Sequence, residues 1–150
     1  MTSSYQRPDW FTRNVFNPFV GGLGKIGISM MGSRVLEVRG RMTGEVRRTP
    51  VNLLRLDGQD YLVAPRGITN WVRNARADGG RVTTVLGKKR EEWIIEELPA
   101  DEAVPVLREY LRRWKWEVGT FFPPGTSADM PDADLAALAP KHPSFRLLAR

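Results

Sequence analysis

The dipeptide Asp57-Gly58 stands between two runs of alternating apolar and polar residues and constrains the fold more than any other local feature. A tight two-residue hairpin turn needs positive φ at both positions, and Asp-Gly meets that need. The flanking runs, Thr49–Leu56 and Gln59–Ala64, are therefore predicted to pair as an antiparallel hairpin. The chain is expected to contain an antiparallel sheet.

Four further stretches of alternating or β-branched residues predict more strands. Ser33–Arg39 is the first, and Arg81–Leu86 and Glu91–Leu98 form a second hairpin around the turn Gly87-Lys88-Lys89. Ser144–Arg150 has the pattern of a closing strand. These runs predict about six strands.

Helices are predicted between and after the hairpins. Thr69 is expected to cap a short helix that runs through Ala77 and stops at Gly79-Gly80. Asp101 is expected to cap a longer helix, and Asp132–Ala139 has room for one or two helical turns. The longer helix should bury one apolar face, made of Val104, Leu107, Leu111 and Trp114. The pattern favours an α+β fold: a small, partly opened antiparallel barrel with flanking helices.

The first 32 residues differ in composition from the remainder. Aromatic and apolar residues alternate with basic ones up to about Asn17, which predicts a short amphipathic helix, and a glycine-rich connection follows. This helix could pack on the domain, cover a pocket or contact the inner face of a membrane. We therefore expect an N-terminal helix and connection over residues 1–32 and a barrel domain over residues 33–150.

Composition excludes several kinds of chemistry. The chain has no cysteine and one histidine, so thiolate metal sites, cysteine nucleophiles and histidine-rich metal sites are impossible. That histidine, His142, has no carboxylate or serine at a readable spacing, which predicts a structural or exposed residue rather than a triad member. No apolar run reaches the length of a membrane span and no secretory signal is evident, which predicts a cytoplasmic protein.

Positive charge is concentrated in the middle of the chain. Residues 34–90 contain 13 basic and 5 acidic residues, a net charge of +8, whereas residues 91–150 carry −4. Such clustering predicts an anionic partner, either a phosphorylated small molecule or a nucleic acid.

The densest basic segment is Arg39–Pro50, which joins the first two predicted strands. Its residues 39–48 contain four arginines and one glutamate. Guanidinium groups match phosphate and carboxylate oxygens, and Gly40 and Gly44 would let backbone N–H groups approach an anion. Both an anion cradle and a solvated, charged hairpin loop fit this composition.

The second candidate segment is Val63–Arg76, where a strand leads into the short helix. A helix N-terminus offers unpaired N–H groups, and Trp71 could stack on a planar ring. Alternatively, Trp71 is an ordinary core residue and the asparagines are caps. Five aromatic residues further along could likewise be core or line an apolar pocket, and we expect a mixture: Tyr110, Trp114, Trp116, Phe121 and Phe122.

Read in order, five short motifs resemble the deazaflavin-dependent nitroreductase family. They are G-R-M-T-G-x-x-R-x-T-P at 40–50, the Leu-Asp-Gly hairpin, V-A-P-R-G at 63–67, N-W-V-R-N-A-R at 70–76 and the H-P-S-F-R-L ending. The resemblance covers residues 33–98 well and the remainder loosely. It implies a split β-barrel and a bound deazaflavin, coenzyme F-420, whose polyanionic tail would account for the basic middle of the chain.

The resemblance also implies the coenzyme contacts. One group would hold its phosphate, side chain and ring edge: Arg41, Met42, Thr43, Arg47, Arg48, Thr49, Pro50, Val51 and Asn52. A second group would line the deazaflavin from the other side: Val63, Ala64, Pro65, Arg66, Asn70, Trp71, Val72, Arg73 and Asn74. No catalytic acid or base is identified, and none is needed for the hydride, which the coenzyme itself carries.

The expected activity is hydride transfer from reduced F-420 to an electron-poor, apolar substrate such as an enone, quinone or nitroaromatic. Pro65 stands where nitro-activating members have a serine, which argues against nitroreduction. An FMN enzyme of the same fold class is an alternative, and a basic barrel that binds nucleic acid is another.

Overall fold

The computed structural model describes residues 32–150. Its strands are β1 (Ser33–Arg39), β2 (Val46–Asn52), β3 (Leu54–Leu56), β4 (Gln59–Val63), β5 (Arg81–Leu86), β6 (Lys89–Glu97) and β7 (Ser144–Ala149). Its helices are α1 (Asn70–Ala77), α2 (Ala100–Val118), a 3-10 turn (Gly119–Phe121) and α3 (Asp132–Leu138). The predicted N-terminal helix lies outside the described residues.

All seven strands form one antiparallel sheet in the order β2-β1-β5-β6-β7-β4-β3. Its two edge strands, β2 and β3, are consecutive in the chain and are separated only by Leu53. The sheet must therefore curl until its two edges meet, which produces the predicted antiparallel barrel. At this corner the N–H of Leu53 donates to the carbonyl of Gly32 at 2.7 Å, which continues the β1–β2 register by one residue.

The expected run Thr49–Leu56 is thus two strands rather than one, and the described sheet has seven strands instead of about six. Residues before the bend pair with β1 and those after it pair with β4. Pro50 is tolerated in β2 because this edge strand needs no N–H on its open side. The alternation shifts by one residue at the adjacent apolar residues Leu53 and Leu54, which is the local sign of the break.

The Asp57-Gly58 hairpin prediction is confirmed. Asp57 has φ of 52° and Gly58 has φ of 79°, and Leu56 pairs with Gln59 across the turn. In the second hairpin Leu86 pairs with Lys89, so its turn consists of Gly87 and Lys88.

Buried apolar residues form two clusters on opposite faces of the sheet. The first, inside the curl, includes Leu36 and Val38 of β1 with Val72 and Ala75 of α1. The second packs α2 and α3 against Leu54 and other residues of the opposite face. The four predicted contact residues of the long helix are all in this second cluster: Val104, Leu107, Leu111 and Trp114.

Helix boundaries agree with the sequence pattern except at one cap. Thr69 occupies the N-cap position of α1, as predicted, although its side chain makes no capping hydrogen bond. The N-cap of α2 is Pro99 rather than Asp101, which lies in the first turn. The helix begins earlier because Leu98 is fixed to the carbonyl of Ser144 at 2.9 Å and Pro99 is already extended. Asp101 still complements the positive end of the helix dipole. Among the described helices, none is long and apolar enough to cross a membrane.

Candidate functional site

The loop between β1 and β2 is compact and glycine-dependent. The N–H of Gly40 donates to the carbonyl of Glu45 at 2.7 Å, and the N–H of Gly44 donates to the carbonyl of Gly40 at 2.8 Å. Gly44 has φ of 80°, and a Cβ at Gly40 would lie 3.0 Å from the Glu45 carbonyl oxygen and 3.5 Å from Nε of Arg47. The small residue therefore lets the side chain of Arg47 lie against the loop backbone.

Asn74 joins this loop to helix α1. Its Oδ1 accepts a hydrogen bond from the backbone N–H of Arg41 at 3.1 Å and another from Nη1 of Arg41 at 2.7 Å. Asn74 is only 4% exposed, so these bonds form largely away from water. The two segments that the sequence singled out are thereby brought together.

A cleft of about 420 Å³ lies between this loop and the last turn of α1. We call it the arginine cleft. It is lined by Arg39, Gly40, Arg41, Met42, Thr43 and Gly44 from the loop and by Asn74, Ala77 and Asp78 from α1 and its end. Four predicted contacts, Arg41, Met42, Thr43 and Asn74, are among these residues.

Three arginines surround this loop without a carboxylate partner. Within residues 32–150, Arg39, Arg41 and Arg47 form no ion pair, although Asp78 lies in the same lining. Their positive potential is therefore available to an external anion.

Strand β2 divides its predicted contacts between two faces. Arg47 is opposite Val38, and Thr49 is opposite Leu36, whose side chains are in the cluster inside the curl. Because side chains alternate along a strand, Arg48, Pro50 and Asn52 face the other way. Asn52 accepts a hydrogen bond from Oγ of Ser33 at 3.0 Å on that opposite face.

Arg48 belongs to an ion-pair cluster with Glu37 and Arg90. Nε of Arg48 lies 2.9 Å from one carboxylate oxygen of Glu37, and Nη2 of Arg90 lies 2.5 Å from the other. Burial by itself raises the pKa of Glu37, but hydrogen bonds from Arg90 and Arg48 outweigh it and hold the pKa below its ordinary value of 4.5. Glu37 is therefore a charged partner that occupies both guanidinium groups.

The predicted residues of the second segment also lie in different environments. Val63 is in the cluster beneath α2, whereas Ala64 and Val72 are in the cluster inside the curl. Trp71 is partly buried against the inner cluster, with its ring centroid 5.5 Å from that of Phe145. The guanidinium carbon of Arg66 lies 4.9 Å from the ring centroid of Phe121. Asn70, in the first turn of α1, is half-buried, and Arg73 is exposed.

The aromatic residues after the barrel form the expected mixture. Tyr110, Trp114 and Phe122 are buried in the α2 cluster, whereas Trp116 and Phe121 are exposed.

His142 is buried against the second segment and is not exposed. Its Nδ1 lies 2.9 Å from the carbonyl oxygen of Pro65, and its ring stacks on Phe122 with a centroid distance of 4.3 Å. Burial lowers the pKa of His142 and neighbouring Lys141 adds to the effect, although the hydrogen bond to Pro65 opposes it. The neutral imidazole is thus the favoured form.

The cleft also contains residues that the family resemblance did not assign. Ala77 and Asp78 are three and four residues after Asn74, a spacing that places them on the same face of a helix. Once Asn74 is identified as a site residue, this spacing predicts that Ala77 and Asp78 lie beside it. Arg39 was visible in the basic segment, but only the fold shows that it lines the cleft. No group of three metal-ligating side chains occurs within the described part of the chain.

Comparison with known proteins identifies the chain. The family model described as F-420H(2)-dependent quinone reductase matches residues 10–120. The chain belongs to this family. The family is one of F-420-dependent reductases, which decides between F-420 and the FMN alternative.

Solved structures share the fold at low sequence identity. A conserved hypothetical protein from Mycobacterium tuberculosis is 20% identical, with a TM-score of 0.55 over 86% of this chain and 81% of that chain. HutZ, the heme storage protein from Vibrio cholerae, is 9% identical, with a TM-score of 0.55 over 90% of this chain and 87% of that chain. These likenesses support the split-barrel architecture.

A curated mouse (Mus musculus) protein, ATP-binding cassette sub-family A member 7, is 32% identical over 120 residues. The match spans 76% of this chain but only 5% of that protein.

The residues of the arginine cleft fit a polyanionic coenzyme. Arg39 and Arg41 line it, and Arg47 lies against its Gly40 wall, so guanidinium groups surround a glycine-rich backbone. This donor set matches phosphate and carboxylate oxygens.

Proposed function

We propose that the arginine cleft binds the anionic tail of coenzyme F-420 and that this family member reduces a quinone. The observation that carries the proposal is the convergence of Arg39, Arg41 and Arg47 on one glycine-rich loop without a carboxylate partner among residues 32–150. Charge-assisted hydrogen bonds to guanidinium groups are about twice as strong as neutral ones. A tail of one phosphodiester and several carboxylates would replace the missing partners.

Arg41 would have two roles in this site. Its Nη1 and its backbone N–H both bind Asn74, which holds the side chain at the cleft before any ligand arrives. Such preorganisation reduces the entropy that is lost on binding. Asn74 would thus act by fixing Arg41.

The planar ring system of the coenzyme would lie beyond the tail, towards an apolar margin of the barrel. This margin consists of Val51, Leu53, Ile68 and Trp71, which are partly buried against the inner cluster. The predicted contacts Thr49 and Val51 face this side of β2, as their register with β1 indicates. Arg48, Pro50 and Asn52 face the opposite side of β2, so they would not contact the coenzyme directly.

The bound coenzyme supplies the hydride, and the protein supplies position and a dry environment. The apolar margin would exclude water from the reacting face.

We favour a quinone over a nitroaromatic as substrate. The family description refers to quinones, and an enone has similar electron-poor chemistry. Pro65 has neither a hydroxyl group nor an N–H to bind a nitro group, and its carbonyl is already hydrogen-bonded to His142. The second segment therefore offers an apolar surface at this position.

Anaerobic mixing with reduced F-420 tests the substrate class. Quinones, enones and nitroaromatics of similar size would be added separately, and the return of the oxidised coenzyme's absorbance would be followed. We expect the highest kcat/KM with quinones and the lowest with nitroaromatics. A protein that binds F-420 tightly and oxidises it faster with nitroaromatics would contradict the substrate proposal and leave the coenzyme site intact.

A further inference from the structure

Residues 141–143, which lead into β7, contact the segment Val63–Gly67 and hydrogen-bond to it. The N–H of Ala64 donates to the carbonyl of Pro143 at 2.8 Å, and the carbonyl of Pro65 meets Nδ1 of His142 at 2.9 Å. A Cβ at Gly67 would lie 3.2 Å from the carbonyl oxygen of Lys141. We call residues 141–143 the rear clamp.

His142 is the side chain through which the rear clamp reaches Pro65. Proline has no N–H, so only the carbonyl of Pro65 can be fixed by a hydrogen bond. A carbonyl oxygen only accepts, so Nδ1 of His142 must carry the hydrogen. The neutral ring is therefore the Nδ1–H tautomer.

Two other elements fix the position of the His142 ring. Its backbone N–H donates to the carbonyl of Leu138 at the end of α3 at 2.9 Å. Its ring stacks on Phe122, which follows the 3-10 turn at the end of α2. His142 thus connects the ends of two helices to the second predicted coenzyme segment.

We propose that His142 is a positioning residue for the coenzyme: through the Pro65 carbonyl it sets the place of the turn Ala64–Gly67, which leads to Ile68 and Trp71 of the apolar margin, against the deazaflavin ring. The inference rests on the proposed function, because that margin is the part of the site proposed to line the ring. His142 itself is not in the arginine cleft and acts through Pro65.

Two amide substitutions test the position of the donor. In His142→Asn the amide nitrogen can occupy the place of Nδ1, whereas in His142→Gln it reaches the place of Nε2. We expect His142→Ala and His142→Gln to raise the Kd for F-420 about tenfold, the scale for loss of one buried hydrogen bond. We expect His142→Asn to stay within about threefold of the unchanged protein. Fluorescence quenching of the coenzyme measures each Kd.

A core variant separates positioning from general loss of stability. Val106 is 1% exposed on α2, and Val106→Ala should lower Tm while changing the Kd less than about twofold. Equal Kd values for the Asn and Gln variants, or an equal rise in Val106→Ala, would overturn the proposal. If His142→Ala does not fold, the Asn and Gln pair still decides.

The isolated histidine also provides a spectroscopic test. Because the chain has one histidine, 15N-histidine labelling yields one set of ring signals. We expect the Nδ1–H tautomer at neutral pH and a change in the ring shifts when F-420 is added. The Nε2–H tautomer, or no change on saturation with F-420, would contradict the inference.

A separate variant tests the proposed coenzyme site independently of His142. If the double variant Arg41→Ala, Arg47→Ala binds F-420 normally, the arginine cleft is not the site. If that variant loses binding but His142→Ala and His142→Gln do not, only the role of His142 is wrong.

Discussion

Arginines occupy two different electrostatic environments in this molecule. Around the β1–β2 loop, Arg39, Arg41 and Arg47 form no ion pair with residues 32–150, and Arg41 is held instead by the amide of Asn74. On the opposite face of the sheet, Arg48 binds Glu37 at 2.9 Å. After residue 100 every arginine follows the second pattern and binds a carboxylate: Arg108, Arg112, Arg113, Arg146 and Arg150.

The contrast is sharpest between Arg47 and Arg48, which are neighbours in the chain. One side chain lies against the glycine-rich loop and the other completes a buried carboxylate's ion pairs. A guanidinium group with an internal partner stabilises the fold, whereas one without such a partner can bind a ligand. The following predictions test this division.

The largest effect is expected for the double variant Arg41→Ala, Arg47→Ala. Two charge-assisted contacts of about 1.5–3 kcal/mol each would be lost, so the Kd for F-420 should rise at least about 100-fold. The matched control is Arg112→Ala, Arg113→Ala, which removes the same charge from arginines bound to Glu109. Fluorescence titration should give a change below about threefold for the control. Similar losses in both variants would show that net charge, not the cleft, determines affinity.

A substitution of Asn74 by a carboxylate should give Arg41 an ion-pair partner, like that of the arginines on the opposite face. In Asn74→Asp the new carboxylate would bind Arg41 and occupy the place of an anionic ligand, raising the Kd for F-420 roughly tenfold or more. Asn74→Ala should have a smaller effect, because it releases Arg41 without adding negative charge. Calorimetric titration checks the order. Tighter F-420 binding by Asn74→Asp would contradict the assignment.

Single substitutions of the two neighbouring arginines should separate binding from stability. Arg47→Ala should raise the Kd about tenfold and leave the unfolding free energy nearly unchanged. Arg48→Ala should leave the Kd within about twofold but lower the unfolding free energy by about 1 kcal/mol, since Glu37 keeps Arg90 as a partner. Urea unfolding and coenzyme titration of both variants provide the two measurements. If Arg47→Ala lowered the unfolding free energy and Arg48→Ala raised the Kd, the assignment of Arg47 and Arg48 to opposite faces of β2 would be wrong.

The smallest effect concerns acid stability. Because the pKa of Glu37 is lowered from 4.5 in the folded protein, the unfolded chain binds more protons as the pH falls below about 5. This contribution to stability is complete above the unfolded pKa and is lost as the pH falls through the folded pKa. We expect the unfolding free energy to decline less steeply over this range in Glu37→Gln than in the unchanged protein. Equal slopes in urea titrations would exclude Glu37 as the source.

Local patterns predicted most elements of the described sheet. The positive φ values demanded by Asp57-Gly58 and the apolar spacing of α2 are short-range properties, so both predictions are confirmed. The bend at Leu53 was missed, although the adjacent apolar residues Leu53 and Leu54 shift the alternation by one residue; folding decides that the first half joins β1 and the second joins β4. Similarly, the cap of α2 moved to Pro99 because Leu98 is held by Ser144 from another strand.

The candidate site was predicted as two segments, and their contact with each other is a result of folding. The bond between Arg41 and Asn74 joins residues 33 positions apart. The proposed role of His142 depends on a similar long-range contact, since Pro65 is 77 positions away. Neither partner has a sequence signal that identifies the other.

By itself, the sequence determined that an antiparallel sheet forms, that positive charge gathers in residues 34–90, and that two segments resemble coenzyme-binding motifs. These properties reside in neighbouring residues and in composition. Only the tertiary structure decided which arginines keep their charge available. Whether a guanidinium group has a carboxylate partner depends on the face of its strand and on residues that reach it from elsewhere in the fold, as Glu37 reaches Arg48 and Arg90.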